Sequence, residues 1–327
     1  MAVLVLGGAG YIGSHTVYAL CEAGREVVVV DNLETGHQEA VHEKAAFYQG
    51  DISDTAFLHH VLRRESIDGV IHFAAYSIVA ESMRNPLKYY ENNVCKTKKM
   101  LEVLLESCVQ DVVFSSTAAV YGEPNRVTIS EQDPTEPTNP YGATKLAMEQ
   151  MFRWVANTGN LRFVSLRYFN ACGAHQDGKI GEAHPTETHL IPLLLQVANG
   201  KRDAVAVFGC DYPTQDGTCV RDYIHVADLA DAHILALDYL KDGGKSDIFN
   251  LGNGVGFSVK EVIETARRVT GHAIPVQISE RREGDPARLV ASSQKAKNVL
   301  GWKPRYHQLE EMVETAWRWH RRHPEGY

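Results

Sequence analysis

Short runs of branched apolar residues alternate with longer amphipathic stretches through the first half of the chain. The apolar runs fall at residues 3–6, 27–30, 70–73, 112–115 and 163–166. Helical patterns separate them at 12–23, 55–65, 87–107 and 141–157. This alternation predicts an α/β fold built on a doubly wound parallel sheet of the Rossmann kind, and strands apolar along their length fit a sheet covered on both faces. Past about residue 172 the rhythm changes. Residues 173–185 are rich in Gly, His and acidic side chains and read as a loop, and the remainder mixes short elements with long connections. The pattern therefore divides into a first domain at 1–172 and a smaller α+β domain at 173–327. The strand-to-helix pattern within the segment near 220–250 can rejoin the first.

Composition narrows the class. The chain has 327 residues, 44% hydrophobic and 23% charged, enough for one large or two coupled domains. Its net charge of -8 argues against a general nucleic-acid binder, so an anionic ligand would need basic residues placed locally. No apolar run is long enough to cross a bilayer. Residues 1–6 are apolar but lack a basic leader and end at Gly7, Gly8 and Gly10, which suits a buried strand rather than a signal peptide. The six cysteines show no CxxC spacing and all read as small buried side chains. These features point to the cytoplasm. The 15 histidines contain no HExxH pattern, and no metal site is read.

The first strand runs into Gly7-Gly8-Ala9-Gly10-Tyr11-Ile12-Gly13 and then a helix. Such a turn lets backbone approach a pyrophosphate, and the helix start offers free N–H groups and a positive dipole end. A bare glycine turn equally fits a plain strand-to-helix connection. Here Asp31 ends the second strand, where a carboxylate binds ribose hydroxyls and repels a 2′-phosphate, favouring NAD over NADP. Asp51 and Ile52 follow the third strand, and Phe73, Ala74 and Ala75 follow the fourth, at the strand ends where such folds bind ligands.

Of the 14 tyrosines, Tyr141 is the one with a lysine four residues on, Lys145. Asn139 and Pro140 make a good helix start, so the pair shares a helix face. Thr117 lies just past the 112–115 strand. A phenol of ordinary pKa near 10 is a poor base at neutral pH, and a nearby ammonium together with a positive nicotinamide favours phenolate. Lys145 can also bond the nicotinamide ribose, and Thr117 can orient a substrate hydroxyl and relay its proton. Standing alone, the pair would read as surface residues on an amphipathic helix. Beside a dinucleotide turn it reads as catalytic.

Together these residues resemble the extended short-chain dehydrogenase/reductases. The resemblance narrows to the UDP-glucose 4-epimerase family through Tyr89-Tyr90-Glu91-Asn92-Asn93, Leu166-Arg167-Tyr168-Phe169-Asn170, Asp211-Tyr212-Pro213-Thr214, Val220-Arg221-Asp222-Tyr223-Ile224-His225, Arg281-Arg282-Glu283-Gly284-Asp285 and His323-Pro324-Glu325-Gly326-Tyr327. It implies inversion of C4 of a UDP-hexose through a transient 4-keto sugar, with tightly bound NAD. It makes Tyr141 the base, Lys145 its modulator and Thr117 a catalytic hydroxyl. NAD would be lined by Gly7, Gly10, Tyr11, Ile12, Gly13, Asp31, Asn32, Asp51, Ile52, Phe73, Ala74, Ala75, Asn92 and Phe169, with Tyr141 and Lys145. The nucleotide sugar would lie against Asn170, His189, Leu190, Phe208, Arg221, Tyr223, Arg282 and Asp285, with Thr117 and Tyr141. Arginine forks suit diphosphate oxygens. Residues 1–172 would thus bind NAD and 173–327 the nucleotide sugar. The resemblance also implies a homodimer joined through the helices at 87–107 and 141–157.

Three positions depart from the family pattern. Ser77 stands where some members have Lys, His189 where some have Asn, and Leu289 where others have Tyr or Cys. A residue smaller than Tyr at Leu289 would admit an N-acetyl group. Two other functions compete. Nucleotide-sugar 4,6-dehydratases carry Asp-Glu after the catalytic Thr, where this chain has Ala118 and Ala119. A non-catalytic NAD-binding sensor would often lack the Tyr/Lys pair.

Overall fold

The computed structural model describes residues 1–124, 126, 128–282 and 285–327. In chain order the first half comprises β1 (Ala2–Leu6), α1 (Tyr11–Glu22), β2 (Val27–Asp31), β3 (Ala46–Gln49), α2 (Thr55–Arg64), β4 (Ile67–His72), α3 (Val79–Arg84), α4 (Pro86–Tyr89), α5 (Lys96–Glu106), β5 (Asp111–Ser115), α6 (Pro140–Ala156) and β6 (Arg162–Tyr168). There follow β7 (Asn170–Cys172), α7 (Leu190–Ala198), β8 (Val205–Phe208), β9 (Val220–His225), α8 (Val226–Lys241), β10 (Asp247–Leu251) and β11 (Gly256–Ser258). The last elements are α9 (Val259–Thr270), β12 (Val276–Ser279), β13 (Arg288–Leu289), α10 (Gln294–Val299) and α11 (Leu309–Arg322).

Seven strands form one parallel sheet in the order β10-β6-β5-β4-β1-β2-β3. Side chains alternate between its faces. Val3, Val5, Val29, Ile71 and Val113 face α1 and α8, whereas Leu4, Leu6, Val28, Val30 and Phe114 face α2, α5 and α6. Every residue of β1, β2 and β5 is buried. At roughly 1.5–3 kcal/mol for each large apolar side chain, this two-faced burial is the main stabilising term. The order reverses between β1 and β4, which creates the crevice where doubly wound sheets take ligands.

A second body of short strands carries its own core. β9 pairs with β7, β11 and β13, while β8 pairs with β12. Helices α7, α9 and α11 cover them with Ile191, Leu194, Val262, Met312 and Val313. β10, by contrast, joins the large sheet against β6.

Two expectations need correction. The pattern at 87–107 predicted one helix, but Tyr90–Cys95 is wound as a π-helical turn between α4 and α5. Apolar spacing does not report such a turn, which accommodates an extra residue. Only Cys21, Cys172 and Cys219 are buried; Cys95, Cys108 and Cys210 are exposed. Cys95 closes the π-helical turn on its solvent side, Cys108 has φ of 57° in the turn after α5, and Cys210 follows β8 in a loop.

Candidate active site

The glycine turn sits on the switch point. Gly7 has φ of +79°, and a Cβ there would lie 2.6 Å from the Ala74 amide, because the loops after β1 and β4 touch. Gly13 is closer still: its Cβ would stand 2.1 Å from the Gly7 carbonyl. A Cβ on Gly10 would meet only the Gly7 oxygen at 3.5 Å, so that face of the turn is open. Gly10 also starts α1 without a side-chain cap, which leaves the first amides of a 12-residue helix to an outside acceptor. Open space before uncapped amides fits a pyrophosphate.

Around this turn the carboxylates are fixed. Asp31 is buried and accepts hydrogen bonds from the Ala9 amide at 3.0 Å and the Leu33 amide at 2.9 Å. Burial pushes its pKa up, against those two bonds. Each oxygen keeps lone pairs for a ribose. Asn32 donates to Asp51 at 3.2 Å, and Lys96 pairs with the same carboxylate at 2.6 Å. Burial would raise Asp51, but the Lys96 and Ser53 bonds outweigh it and hold the group down at about 2. Ile52 is buried, Ala75 half-buried, and the Phe73 ring lies 4.6 Å from that of His233. Tyr11 swings away from the turn and donates to the Gly173 carbonyl at 2.6 Å, linking the turn to the loop after β7.

The candidate trio of Thr117, Tyr141 and Lys145 lies after β5 and in the first turns of α6. Asn139 caps α6 by accepting from the Gly142 amide at 2.9 Å, with Pro140 in the first turn. Thr117 starts a 3-10 turn after β5, and its hydroxyl accepts from the Ala119 amide at 3.1 Å. Burial pushes the Tyr141 phenol up, and the neighbouring Thr117 side chain pulls it down. Lys145 is 3% exposed, donates to the Ser115 carbonyl at 2.9 Å and lies 4.9 Å over the Phe114 ring. Burial lowers its ammonium to about 7, with Glu149 opposing. Backbone and ring thus hold the lysine.

Several supporting residues escaped the motif reading. Glu149 lies one turn beyond Lys145 and meets Arg167 through two charge-assisted bonds of 2.9 and 2.5 Å. Ser116 donates to the same carboxylate at 2.5 Å, and Arg167 donates to Tyr121 at 2.9 Å. Glu149 and Arg167 are 1% and 3% exposed, so this is a buried ion pair directly beneath the catalytic helix face. The i+4 spacing from Lys145 was the available signal. In the π-helical turn Asn93 is fully buried, accepting from the Tyr76 amide at 2.8 Å and donating to Thr144 at 3.0 Å. Its neighbour Asn92 donates to Asn93 at 3.2 Å.

The remaining predicted residues occupy the second body. Phe169 and Leu289 both pack against a separate small cluster of Val120, Tyr121 and Ile129. Asn170 pairs with Tyr223 in the β7–β9 ladder. Arg221 pairs with Asp285, and the Arg282 guanidinium lies 3.8 Å over the Phe208 ring. These two pairs bring four of the predicted substrate contacts together. Tyr223 is instead packed into the core of the second body at 5% exposure. His189 caps α7 ahead of Leu190, but its Nδ1 turns to Glu182 at 2.8 Å and Glu187 at 3.0 Å. Glu283 and Gly284 of the Arg281–Asp285 motif lie outside the described residues.

Residues 3–252 match the model of the NAD dependent epimerase/dehydratase family. The chain is 59% identical over 327 residues to a UDP-glucose 4-epimerase of Halalkalibacterium halodurans, covering 100% of this chain and 98% of that protein. A crystal structure of a UDP-glucose 4-epimerase superposes with a TM-score of 0.98 at 56% identity, covering 100% of this chain and 99% of the other. The Bifidobacterium longum UDP-glucose 4-epimerase, solved with NAD+ and UDP, superposes at 0.95 with 39% identity over 100% of both chains.

Proposed function

Since this chain belongs to the NAD dependent epimerase/dehydratase family, and within it to the UDP-glucose 4-epimerases, we propose that its half-buried Tyr141 and its buried Thr117 and Lys145 carry out C4 inversion of a UDP-hexose. The enzyme is an NAD-dependent isomerase. The observation that carries the assignment of roles is the placement of Tyr141 and Lys145 one turn apart on α6, with Thr117 beside the phenol, at the carboxyl end of the parallel sheet.

Bound NAD supplies the acceptor and donor of hydride for C4 and is regenerated in each cycle. The protein's part is to move one proton and to hold the nucleotide. Tyr141 takes the C4 hydroxyl proton, and Thr117 orients that hydroxyl and relays the proton. A buried phenol resists ionising, so Lys145 must turn a positive charge toward it. Glu149, fixed by Arg167 and Ser116, favours the charged form of that lysine. After oxidation the 4-keto sugar turns about its diphosphate linkage and is reduced on its other face.

Turning demands a firm grip on the nucleotide and a loose one on the hexose. Arg221 gives one donor to the Val220 carbonyl and one to Asp285, which leaves other N–H groups of its five for phosphate. Asp285 and the Phe208–Arg282 stack are suited to the uridine ribose and base.

The apolar side chains left on α3 to α6 support a homodimer. Leu87, Met83 and Trp154 are 81%, 60% and 74% exposed, a cost to a monomer that a second copy would remove. Incubation of the purified protein with UDP-galactose, without added NAD, tests the activity and cofactor retention together. UDP-glucose should form, and Tyr141→Phe should slow its formation by roughly 10²–10⁴-fold. Full activity in that variant would remove Tyr141 from the mechanism.

A further inference from the structure

The loop between β7 and α7 contains Glu182-x-His184-x-x-Glu187-x-His189, and it folds these four side chains onto one point. His184 Nδ1 lies 3.3 Å from a Glu182 oxygen and 3.2 Å from a Glu187 oxygen. His189 Nδ1 lies 2.8 Å from Glu182 and 3.0 Å from Glu187. One ligand atom from each residue falls within 4.8 Å of all the others. Both glutamate side chains are 5% exposed.

We propose that Glu182, His184, Glu187 and His189 form a binding site for a divalent transition-metal ion of the zinc class. The donor set of two imidazole nitrogens and two carboxylates is one that zinc takes, with bonds of about 2.0–2.2 Å. A tetrahedron of such bonds has edges of about 3.3–3.6 Å, so the nitrogen–oxygen separations present, 2.8 to 3.3 Å, would open by a few tenths of an ångström to take the ion. Two protonated imidazoles can pair with the two carboxylates, but each leaves one of its contacts without a proton. An Nδ1–H points one way, yet each Nδ1 faces oxygens from two different glutamates. Two nearly buried carboxylates side by side also repel, and a dication between them neutralises both. The carboxylate of Glu187 is pre-aimed: one oxygen accepts the backbone amides of Thr188 and His189, each at 2.7 Å. Such supporting bonds are what orients metal ligands.

The position gives the ion a task. The Tyr11 ring of the glycine turn stands edge-on to His184 with centroids 6.3 Å apart. The Ala183 carbonyl meets His37 Nε2 at 2.8 Å, and Gly181 is hydrogen-bonded through both its amide and its carbonyl to the Tyr327 hydroxyl. His189 leads straight into α7. An ion held here fastens the loop between the glycine turn and the second body. This site stands or falls apart from the catalytic roles, since it involves neither Tyr141 nor Lys145.

The test uses the full chain, purified without a polyhistidine tag. Metal content after gel filtration should be about one divalent ion per chain. Replacement by cobalt(II) chloride should give the visible absorption of a tetrahedral site. His184→Ala and Glu182→Gln should each weaken retention at least about tenfold. Should either variant fail to fold, the native protein still decides: a chelator should lower its thermal midpoint, and one equivalent of zinc chloride should restore it. A native chain free of metal, with no cobalt spectrum and an unmoved midpoint, overturns the proposal. So does equal retention in the two variants, which would mark the metal as adventitious.

Discussion

At the switch point of the large sheet, the groups facing the ligand are held by backbone. Asp31 is fixed by the Ala9 and Leu33 amides, Lys145 by the Ser115 carbonyl, and Gly7 and Gly13 of the glycine turn by backbone that leaves no room for a Cβ. In the second body, the corresponding groups hold one another. Arg221 lies against Asp285, and Arg282 against Phe208, by long side chains. The first arrangement is set before any ligand arrives. If these side chains hold the nucleotide sugar as proposed, the second exchanges a protein partner for a ligand partner on binding. A tightly retained cofactor and an exchanging substrate place just these different demands on the two regions.

The sharpest break in the comparison comes from the preset region. Tyr141→Phe keeps the ring and removes the hydroxyl; kcat for UDP-galactose should fall roughly 10²–10⁴-fold, with the thermal midpoint little changed. Glu149→Gln leaves the Arg167 charge buried without its counterion, so denaturant unfolding should show a loss of about 3–5 kcal/mol. In the exchanging region, Arg221→Ala should act on binding: KM for UDP-galactose should rise about 10- to 100-fold while kcat holds, as expected for a charge-assisted bond worth about 1.5–3 kcal/mol. A fall in kcat as large as the rise in KM would erase the contrast. Leu289→Tyr should lower turnover of UDP-N-acetylgalactosamine more than that of UDP-galactose, by roughly tenfold in their ratio.

The smallest expected effect concerns Asp51, whose folded pKa of about 2 lies below its ordinary 3.8. A depressed carboxylate stabilises the fold above 3.8, and that stability is lost as pH falls through about 2. The pair is partly exposed, so Lys96→Ala should cost less than about 1 kcal/mol at neutral pH. The difference in thermal midpoint between this variant and the native protein should shrink toward zero in acid.

The same contrast explains what could be read in the chain. Five strands of the large sheet were legible because they are apolar runs and the turn after β1 needs glycines at fixed spacing; β3, partly exposed along its length, and β10, with its polar Asp247 and Asn250, gave no such run. Tyr141, Lys145 and Asn139 were legible because helix spacing puts i and i+4 on one face. Partnerships between distant segments left no such trace. Nothing near Arg221 announces that Asp285 will meet it, and nothing near Glu149 announces Arg167. The Glu182–His189 cluster was missed because its spacing belongs to a folded loop rather than to a helix with HExxH. The exposed cysteines were misread because composition cannot say which side of an element faces water.

The π-helical turn at 90–95 sets a limit on how this chain can change. A regular helix advances about 100° per residue, so the surplus residue there fixes the rotational phase between Pro86–Tyr89 and Lys96–Glu106. Deleting one residue in that stretch would yield a better helix by any local criterion. It would also swing Asn93 off Tyr76 and Thr144, and turn Lys96 out of line with Asp51. Substitutions can be undone one at a time; a lost phase cannot. Length in this segment is therefore expected to be guarded more strictly than the identity of most of its side chains.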